Sequence, residues 1–101
     1  MRSKTTAIRQ SARGEQCLVR IPGWCNHDPE TTVLAHRNGA GMGIKRPDWQ
    51  AAYCCSGCHR FVDGEWTRTH WNKEGVNAAF YEGIFRTQER LNEKGLLVVK
   101  D

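Results

Sequence analysis

The stretch CCSGCHRFVD, residues 54–63, places three cysteines, a histidine and an aspartate within ten positions. The Cys55-x2-Cys58 spacing is typical of structural zinc sites, in which two thiolates from the first turn of a helix reach one ion. Upstream, Cys17 and Cys25 flank a Pro-Gly turn and would supply the other two ligands of a tetrahedral site. Their gap is longer than the usual gap of about two to four residues, so either one could instead be a buried free cysteine.

The remaining cysteine, Cys54, would point to the other side of an extended strand from Cys55, which predicts a core position for it. Two histidines, His27 and His59, are further candidate ligands, and either could replace a cysteine at the zinc. The cysteine count is odd, and three cysteines are packed tightly. In a reducing compartment this pattern favours metal ligation over a disulfide framework.

Length and charge restrict the classes of function. The chain has 101 residues, which is a single-domain length, and it carries a net charge of +4 with a pI of about 9.0. This mild excess of positive charge favours an anionic partner, and nucleic acid is the commonest for a small basic chain. The N-terminus lacks the apolar segment of a signal peptide, and the run GLLVV is far too short to cross a membrane. We therefore expect a cytoplasmic protein without a membrane partner.

The residue pattern predicts one α+β domain over residues 1–101. A basic N-terminal arm or helix at 1–13 would precede a zinc-bound core at 14–64. Residues 65–101 would form a loop, a longer C-terminal helix and a tail, with apolar residues recurring at helical spacing from about 74 to 93.

Within the core, residues 31–36 and 49–55 have the β-branched and apolar composition of two strands. A helix would begin near Gly57, and residues 64–73 would be irregular. The final stretch GLLVVKD would form a last short strand.

Two sets of side chains could carry chemistry. His59 and Asp63 are four residues apart, which places them on one helix face, where they could bind a divalent cation. His36 ends the first strand and could take a proton from water. Three basic residues are candidates for phosphate contacts, although each could equally be a solvated surface charge: Lys45, Arg46 and Arg60.

The segments TVLAH, PDW and CSGCHRFVD together resemble the HNH endonuclease superfamily, also called the ββα-metal nucleases. More closely, ARGEQCLVRIPGWCNHDPETTVLAH with KRPD and CSGCH is similar to the YbcO-like nuclease family of lambdoid prophages. The resemblance covers roughly residues 12–63 and, more loosely, the C-terminal helix. It implies a small zinc-stabilised fold of the treble-clef, HNH-like ββα-metal type, with a short N-terminal helix and a longer C-terminal helix.

The resemblance also implies roles for single residues. His36 matches the histidine that activates water, and His59 with Asp63 matches the ligands of a catalytic Mg²⁺ or Mn²⁺. Asp48 falls near the place of the middle asparagine and is a further candidate ligand of that cation. The four cysteines match the scaffold of a structural zinc. Ala35 departs from the pattern, because many members carry an acidic residue or histidine there as a metal ligand.

The function implied is a prophage-associated, metal-dependent DNA endonuclease. Its partners would be DNA and phage or host recombination proteins. One alternative is a non-catalytic zinc-binding module that binds DNA or protein, which Ala35 favours. Another is a redox or zinc-sensing protein that uses the CCSGC thiols, which would need an exposed thiolate of low pKa.

Overall fold

The computed structural model describes residues 6–36 and 47–98. These residues form a small mixed α/β fold with three α-helices and a two-stranded antiparallel sheet. In chain order the elements are α1 (Ala7–Ser11), β1 (Val33–His36), β2 (Ala51–Cys54), α2 (Ser56–Asp63) and α3 (Lys73–Glu93). The predicted hairpin followed by a helix, and the longer C-terminal helix, are confirmed. Among the described residues no helix is long and apolar enough to cross a membrane.

Short 3-10 helices explain why the strands are shorter than predicted. They cover Pro29–Thr31, Asp48–Gln50 and Glu65–Arg68. The first two precede β1 and β2, and Asp28 caps the first by accepting a hydrogen bond from the Glu30 backbone. The third lies in the stretch that was predicted to be irregular.

The hairpin lies between two buried clusters. β1 and β2 pair in a register that sets Val33 opposite Cys54 and His36 opposite Ala51. Because side chains alternate along a strand, successive residues of the hairpin face opposite clusters. The larger cluster contains Ala35 together with cysteines and parts of α2 and α3. The smaller cluster contains Leu34 and is completed by residues of α1 and the end of α3.

The outer edge of β2 is covered by two other parts of the chain. The Leu18 backbone donates a hydrogen bond to the Tyr53 carbonyl at 2.9 Å, and the Tyr53 N–H donates to Thr87 Oγ1 at 2.9 Å. A glycine on α3 permits this packing, because a Cβ at Gly83 would lie 2.8 Å from Val19 Cγ2. These contacts leave no unpaired backbone group at Tyr53.

A glycine ends α3 and redirects the C-terminal segment. Gly95 has a φ of 76°, and its N–H donates to the Asn92 carbonyl, while the Leu96 N–H donates to the Leu91 carbonyl. This pair of bonds is the Schellman arrangement, which brings Leu96 back onto the cluster around Leu91. The prediction of a last short strand is therefore wrong as far as Val98, and the residues after it lie outside the described part of the chain.

Candidate metal centre and candidate active site

Four cysteine thiols converge at one point of the fold. The sulfur atoms of Cys17, Cys25, Cys55 and Cys58 all lie within 4.8 Å of one another. The Sγ atoms of Cys25 and Cys55 are 3.8 Å apart. Tetrahedral zinc with Zn–S bonds of about 2.3 Å sets its sulfur ligands about 3.8 Å apart. The four cysteines that the spacing singled out could therefore hold a metal ion such as zinc.

A tight turn presents Cys25 to this cluster. The N–H groups of Trp24 and Cys25 both donate to the Ile21 carbonyl, at 3.1 and 2.9 Å. Gly23 has a φ of 79°, as the third residue of a type II turn requires. The turn then packs against α2, where a Cβ at Gly57 would lie 2.1 Å from the Trp24 carbonyl oxygen. Glycine at this position therefore brings the two pairs of thiols together.

Backbone N–H groups support the sulfur atoms. Cys55 is the N-cap of α2, and its Sγ accepts from the N–H groups of Cys58 and Asn26, both at 3.4 Å. Cys58 Sγ accepts from the Ile21 N–H at 3.3 Å. Such bonds, together with a position at a helix N-terminus, stabilise a thiolate, which is the form that binds metal.

Cys54 is fully buried, as predicted, and it lies in the same buried cluster as Cys17, Cys55 and Cys58. Strand β2 ends at Cys54, and Cys55 already begins the turn into α2, so strict alternation does not extend to Cys55. Hydrogen bonds with Cys17 and Cys58, together with burial, raise the pKa of Cys54. Hydrogen bonds from Cys54 and Cys58 in turn lower the pKa of Cys17. Cys54 is thus a buried neighbour of the four thiols and is not one of the group that could hold the metal.

No histidine replaces a cysteine in the group of four, as far as the described residues show. His27 Nδ1 lies 3.8 Å from Cys25 Sγ, at the outer side of the cluster. Burial raises the pKa of Cys25 to about 11, while a hydrogen bond from the His27 backbone acts in the opposite direction. His59 lies on α2 directly after Cys58 and is not part of the group.

A second constellation forms around His36, at the end of β1. His36 Nε2 lies 2.5 Å from Asp48 Oδ1, and the Thr6 hydroxyl donates to Asp48 Oδ2 at 2.5 Å. Arg9 Nε is 3.9 Å from the same carboxylate. The side chains of His36 and Asp48 are only 14% and 17% exposed. Partial burial acts to raise the pKa of Asp48, but the hydrogen bonds from Thr6 and His36 and the charges of His36 and Arg9 lower it.

The His36 side chain borders a cleft of about 380 Å³ between α1 and β1. Arg9, Arg13 and Thr32 also line this cleft. The composition of the N-terminal segment predicts only a basic arm or helix and does not associate it with His36. The one signal available was the four-residue spacing of Arg9 and Arg13, which brings two guanidinium groups to one side of a helical segment.

The two residues predicted to bind a catalytic cation, His59 and Asp63, lie on α2. Their Nε2 and Oδ2 atoms are 3.8 Å apart, and their side chains are 43% and 62% exposed. Arg60 lies between them in sequence and is exposed, whereas Lys45 and Arg46 fall outside the described residues.

The structure does not gather His59 and Asp63 with the residues around His36. Within residues 6–36 and 47–98, the four cysteines form the single group of three or more metal-capable side chains, so Asp48 does not join the pair on α2. The buried residues of α2, Cys58 and Phe61, belong to the larger cluster. Alternation along β1 instead places His36 on the side of the smaller cluster, with Leu34.

Comparison with known proteins gives a consistent assignment. The family model described as "Putative nuclease YbcO" matches residues 6–96. The chain is 43% identical over 94 residues to "Putative nuclease YbcO" of Escherichia coli (strain K12) and to "Putative nuclease ybcO" of Enterobacteria phage 82, covering 89% of this chain and 95% of each relative. It is also similar to a solved structure described as "Structure of a putative bacteriophage protein from Escherichia coli str. K-12 substr. MG1655". The TM-score is 0.71 at 40% identity, over 88% of this chain and 100% of that one. The chain therefore belongs to the "Putative nuclease YbcO" family.

Proposed function

We propose that this protein is a metal-dependent DNA endonuclease of the HNH type, with His36 as the general base. The observation that carries the proposal is the hydrogen bond between His36 and Asp48 beside a cleft lined by two arginines. The names of the relatives, one of them from a phage, support a nuclease role. DNA is then the substrate, and phage or host recombination proteins are the proposed partners.

The pairing of His36 with Asp48 suits proton transfer. Because Asp48 accepts from Nε2–H, it favours the tautomer in which Nδ1 can take a proton from water. The same carboxylate stabilises the imidazolium that forms, as the aspartate does in a Ser-His-Asp triad. Both oxygens of Asp48 already have partners in His36 and Thr6. We therefore assign Asp48 as a positioning residue for His36, in preference to the cation ligand expected from the resemblance.

The four-cysteine group is proposed to hold a structural zinc. The order of a tight turn, a hairpin and a helix, with two thiols from the turn region and two from the start of α2, supports a treble-clef, HNH-like ββα-metal arrangement. In this arrangement the zinc would join α2 to the turn at residues 21–24 and take no part in the reaction.

The catalytic cation, Mg²⁺ or Mn²⁺, is proposed to bind at His59 and Asp63. Donor atoms 3.8 Å apart can share one ion at about 2.1 Å from each, with water and phosphate oxygens as the other ligands. Such an ion supplies charge neutralisation at the phosphate and the leaving oxygen. Arg60, Lys45 and Arg46 remain proposed phosphate contacts. Because no metal-capable group of the described residues joins His59 and Asp63 with the residues around His36, the cation site needs its own test.

A plasmid-nicking assay with added Mg²⁺ or Mn²⁺ tests both the general base and the cation site. We expect the wild type to nick the plasmid and His36→Ala to lower the rate by about 10²–10⁴-fold, the usual contribution of a general base. His70→Ala, which removes an exposed histidine after α2, is the matched control and should retain activity. Unchanged nicking by His36→Ala would refute the base. Nicking in the absence of any added divalent cation, or unchanged nicking by His59→Ala, would refute the cation site.

A non-catalytic zinc module that binds DNA or protein is the second candidate. It is favoured because His59 and Asp63 form a group of only two, and because Ala35 is a buried residue without a donor atom. Binding to DNA without nicking of plasmid, single-stranded or gapped DNA in either cation would establish this candidate over the first.

A further inference from the structure

One buried hydroxyl in the cleft of His36 has no hydrogen-bond partner among the described residues. Thr32 is 3% exposed, and its Oγ1 makes no hydrogen bond with any residue that the structure describes. Thr87, the other buried polar residue of the described chain, donates to the Gly83 carbonyl and accepts from the Tyr53 N–H. Buried hydroxyls normally have partners, because burial without a hydrogen bond costs free energy. Thr32 lines the cleft of His36, so a ligand in the cleft could provide the partner it lacks.

The two arginines of the cleft are less tightly held than the two arginines of α3. Arg90 pairs with Glu15, and Arg86 donates to a backbone carbonyl. Arg13 is exposed, and its guanidinium makes no hydrogen bond or ion pair with a described residue. Arg9 is 3.9 Å from Asp48, with 38% of its side chain exposed. Arg13 thus offers the cleft a positive charge and hydrogen-bond donors that no described residue neutralises, and Arg9 adds further donors beside its long ion pair with Asp48.

We propose that the cleft between α1 and β1 is a phosphate-binding subsite that holds the sugar-phosphate backbone of a nucleic acid beside His36. Arg13 and Arg9 would bind the phosphate oxygens, since the guanidinium fork matches them in geometry and charge. The Thr32 hydroxyl would donate a third hydrogen bond. A volume of about 380 Å³ is sufficient for a phosphate with its sugar.

The identification of the anion as nucleic-acid backbone rests on the proposed function. The chemistry of the cleft alone requires only a phosphate group. The N-terminal segment then becomes part of the substrate-binding surface, in place of the solvated arm that its composition suggested.

Fluorescence anisotropy with labelled 20-mer DNA, single-stranded and duplex, tests the subsite. The zinc-loaded protein is used without added Mg²⁺ or Mn²⁺, and a denaturing gel checks that the DNA stays intact. We expect Arg13→Ala to raise Kd by about tenfold, the effect of losing one charge-assisted hydrogen bond. The slope of log K against log salt should fall by roughly 0.7–0.9. The control is Arg68→Ala, which removes an arginine that is 82% exposed and outside the cleft. Equal losses in the two variants would overturn the subsite.

Thr32→Val distinguishes a bound phosphate from a diffuse charge effect. The substitution preserves shape and charge and replaces the unpaired hydroxyl by a methyl group. We expect unfolding by urea to require an equal or higher concentration, while Kd for DNA rises by about threefold or more. A variant that folds and binds DNA like the wild type would overturn the role of Thr32.

Inorganic phosphate and a mononucleotide, added at constant ionic strength, separate the sources of the phosphate group. Displacement of labelled DNA from the wild type but not from Arg13→Ala supports a shared subsite. Phosphate binding without any effect of Arg13→Ala on the Kd for DNA would overturn the nucleic-acid assignment. Loss of DNA binding in Arg13→Ala in a protein that never nicks would remove the proposed catalysis and leave the subsite. Normal nicking and binding by Arg13→Ala would overturn the subsite and leave the proposed catalysis.

Discussion

His36 Nε2 and Asp48 Oδ1 lie 2.5 Å apart, although twelve residues separate them in the chain. Asp48 is held from its other side by Thr6, which lies 42 residues away in sequence. The carboxylate therefore connects α1, the end of β1 and the 3-10 turn before β2. This connection fixes the orientation of the His36 ring, and the role proposed for His36 as a general base requires such preorganisation.

The Asp48 carboxylate should be essential for the rate of DNA nicking and dispensable for the binding of zinc. We expect Asp48→Asn to lower nicking by about 10²-fold or more, because an amide neither fixes the tautomer of His36 nor stabilises its protonated form. Asp28→Asn, which changes an exposed acid that caps a 3-10 helix, is the control. The measurement is the nicking rate, with zinc content by mass spectrometry alongside. Nicking by Asp48→Asn at the wild-type rate would show that His36 does not depend on its partner.

Removal of the metal should unfold the protein. In a domain of this size the free energy of binding a structural zinc is part of the free energy of folding. We expect one zinc per chain, a loss of far-UV circular dichroism with a strong chelator, and loss of zinc in Cys58→Ser. Cys54→Ala is the matched control, since Cys54 is equally buried but outside the group of four, and it should retain the zinc. A chelated protein with an unchanged spectrum would contradict this prediction.

Gly57 should tolerate no side chain. Its Cβ would lie 2.1 Å from the Trp24 carbonyl oxygen, so Gly57→Ala must move the turn that carries Cys25 away from α2. We expect the free energy of unfolding to fall by about 3 kcal/mol or more, at the upper end for overpacking. Gly64→Ala is the control, because nothing lies within 4 Å of the position of its Cβ. Urea unfolding of the zinc-loaded variants measures both, and equal stabilities would contradict the close approach.

Acid should weaken the contact between the N-terminal segment and the end of α3. Hydrogen bonding with Arg90 lowers the pKa of Glu15 below 4.5, against the effect of burial and with a further contribution from Lys94. A carboxylate with a lowered pKa contributes stability that is fully present above its unfolded value and is lost as pH falls through its folded value. We therefore expect unfolding midpoints in urea to fall below about pH 4.5.

Glu15→Gln should remove part of this pH dependence. Glu82→Gln, at an exposed position of α3, should preserve it. A wild-type slope in Glu15→Gln between pH 5 and pH 3 would show that the ion pairs of Glu15 with Arg90 and Lys94 contribute little.

The parts of the fold that depend on local pattern were predictable from the sequence. The helical spacing of Val76, Phe80 and Ile84 predicted α3, and these residues are buried. The Cys55-x2-Cys58 spacing predicted the start of α2 and two members of the metal-capable group. Both signals are local, because helical periodicity and helix capping depend on residues that lie close together in the chain.

The contacts of His36 were not predictable in the same way. The bonds of Asp48 with Thr6 and His36 join residues far apart in sequence, and no local pattern specifies them. The prediction of a C-terminal strand was wrong for a related reason. Gly95 turns the apolar run that contains Leu96 back onto the core. In both cases the composition of the segment was compatible with several conformations, and tertiary packing selected one of them.

The thiols of Cys25 and Cys55, 30 residues apart, come within 3.8 Å, so an ion at this point would close a loop that contains the whole hairpin. The entropy cost of closing a loop rises only with the logarithm of its length, by about 0.6 kcal/mol for each doubling. Insertions or deletions between β1 and β2 should therefore change the stability of the metal centre little. The length of that segment can change at little thermodynamic cost to the metal centre, provided that Asp48 keeps its place beside His36.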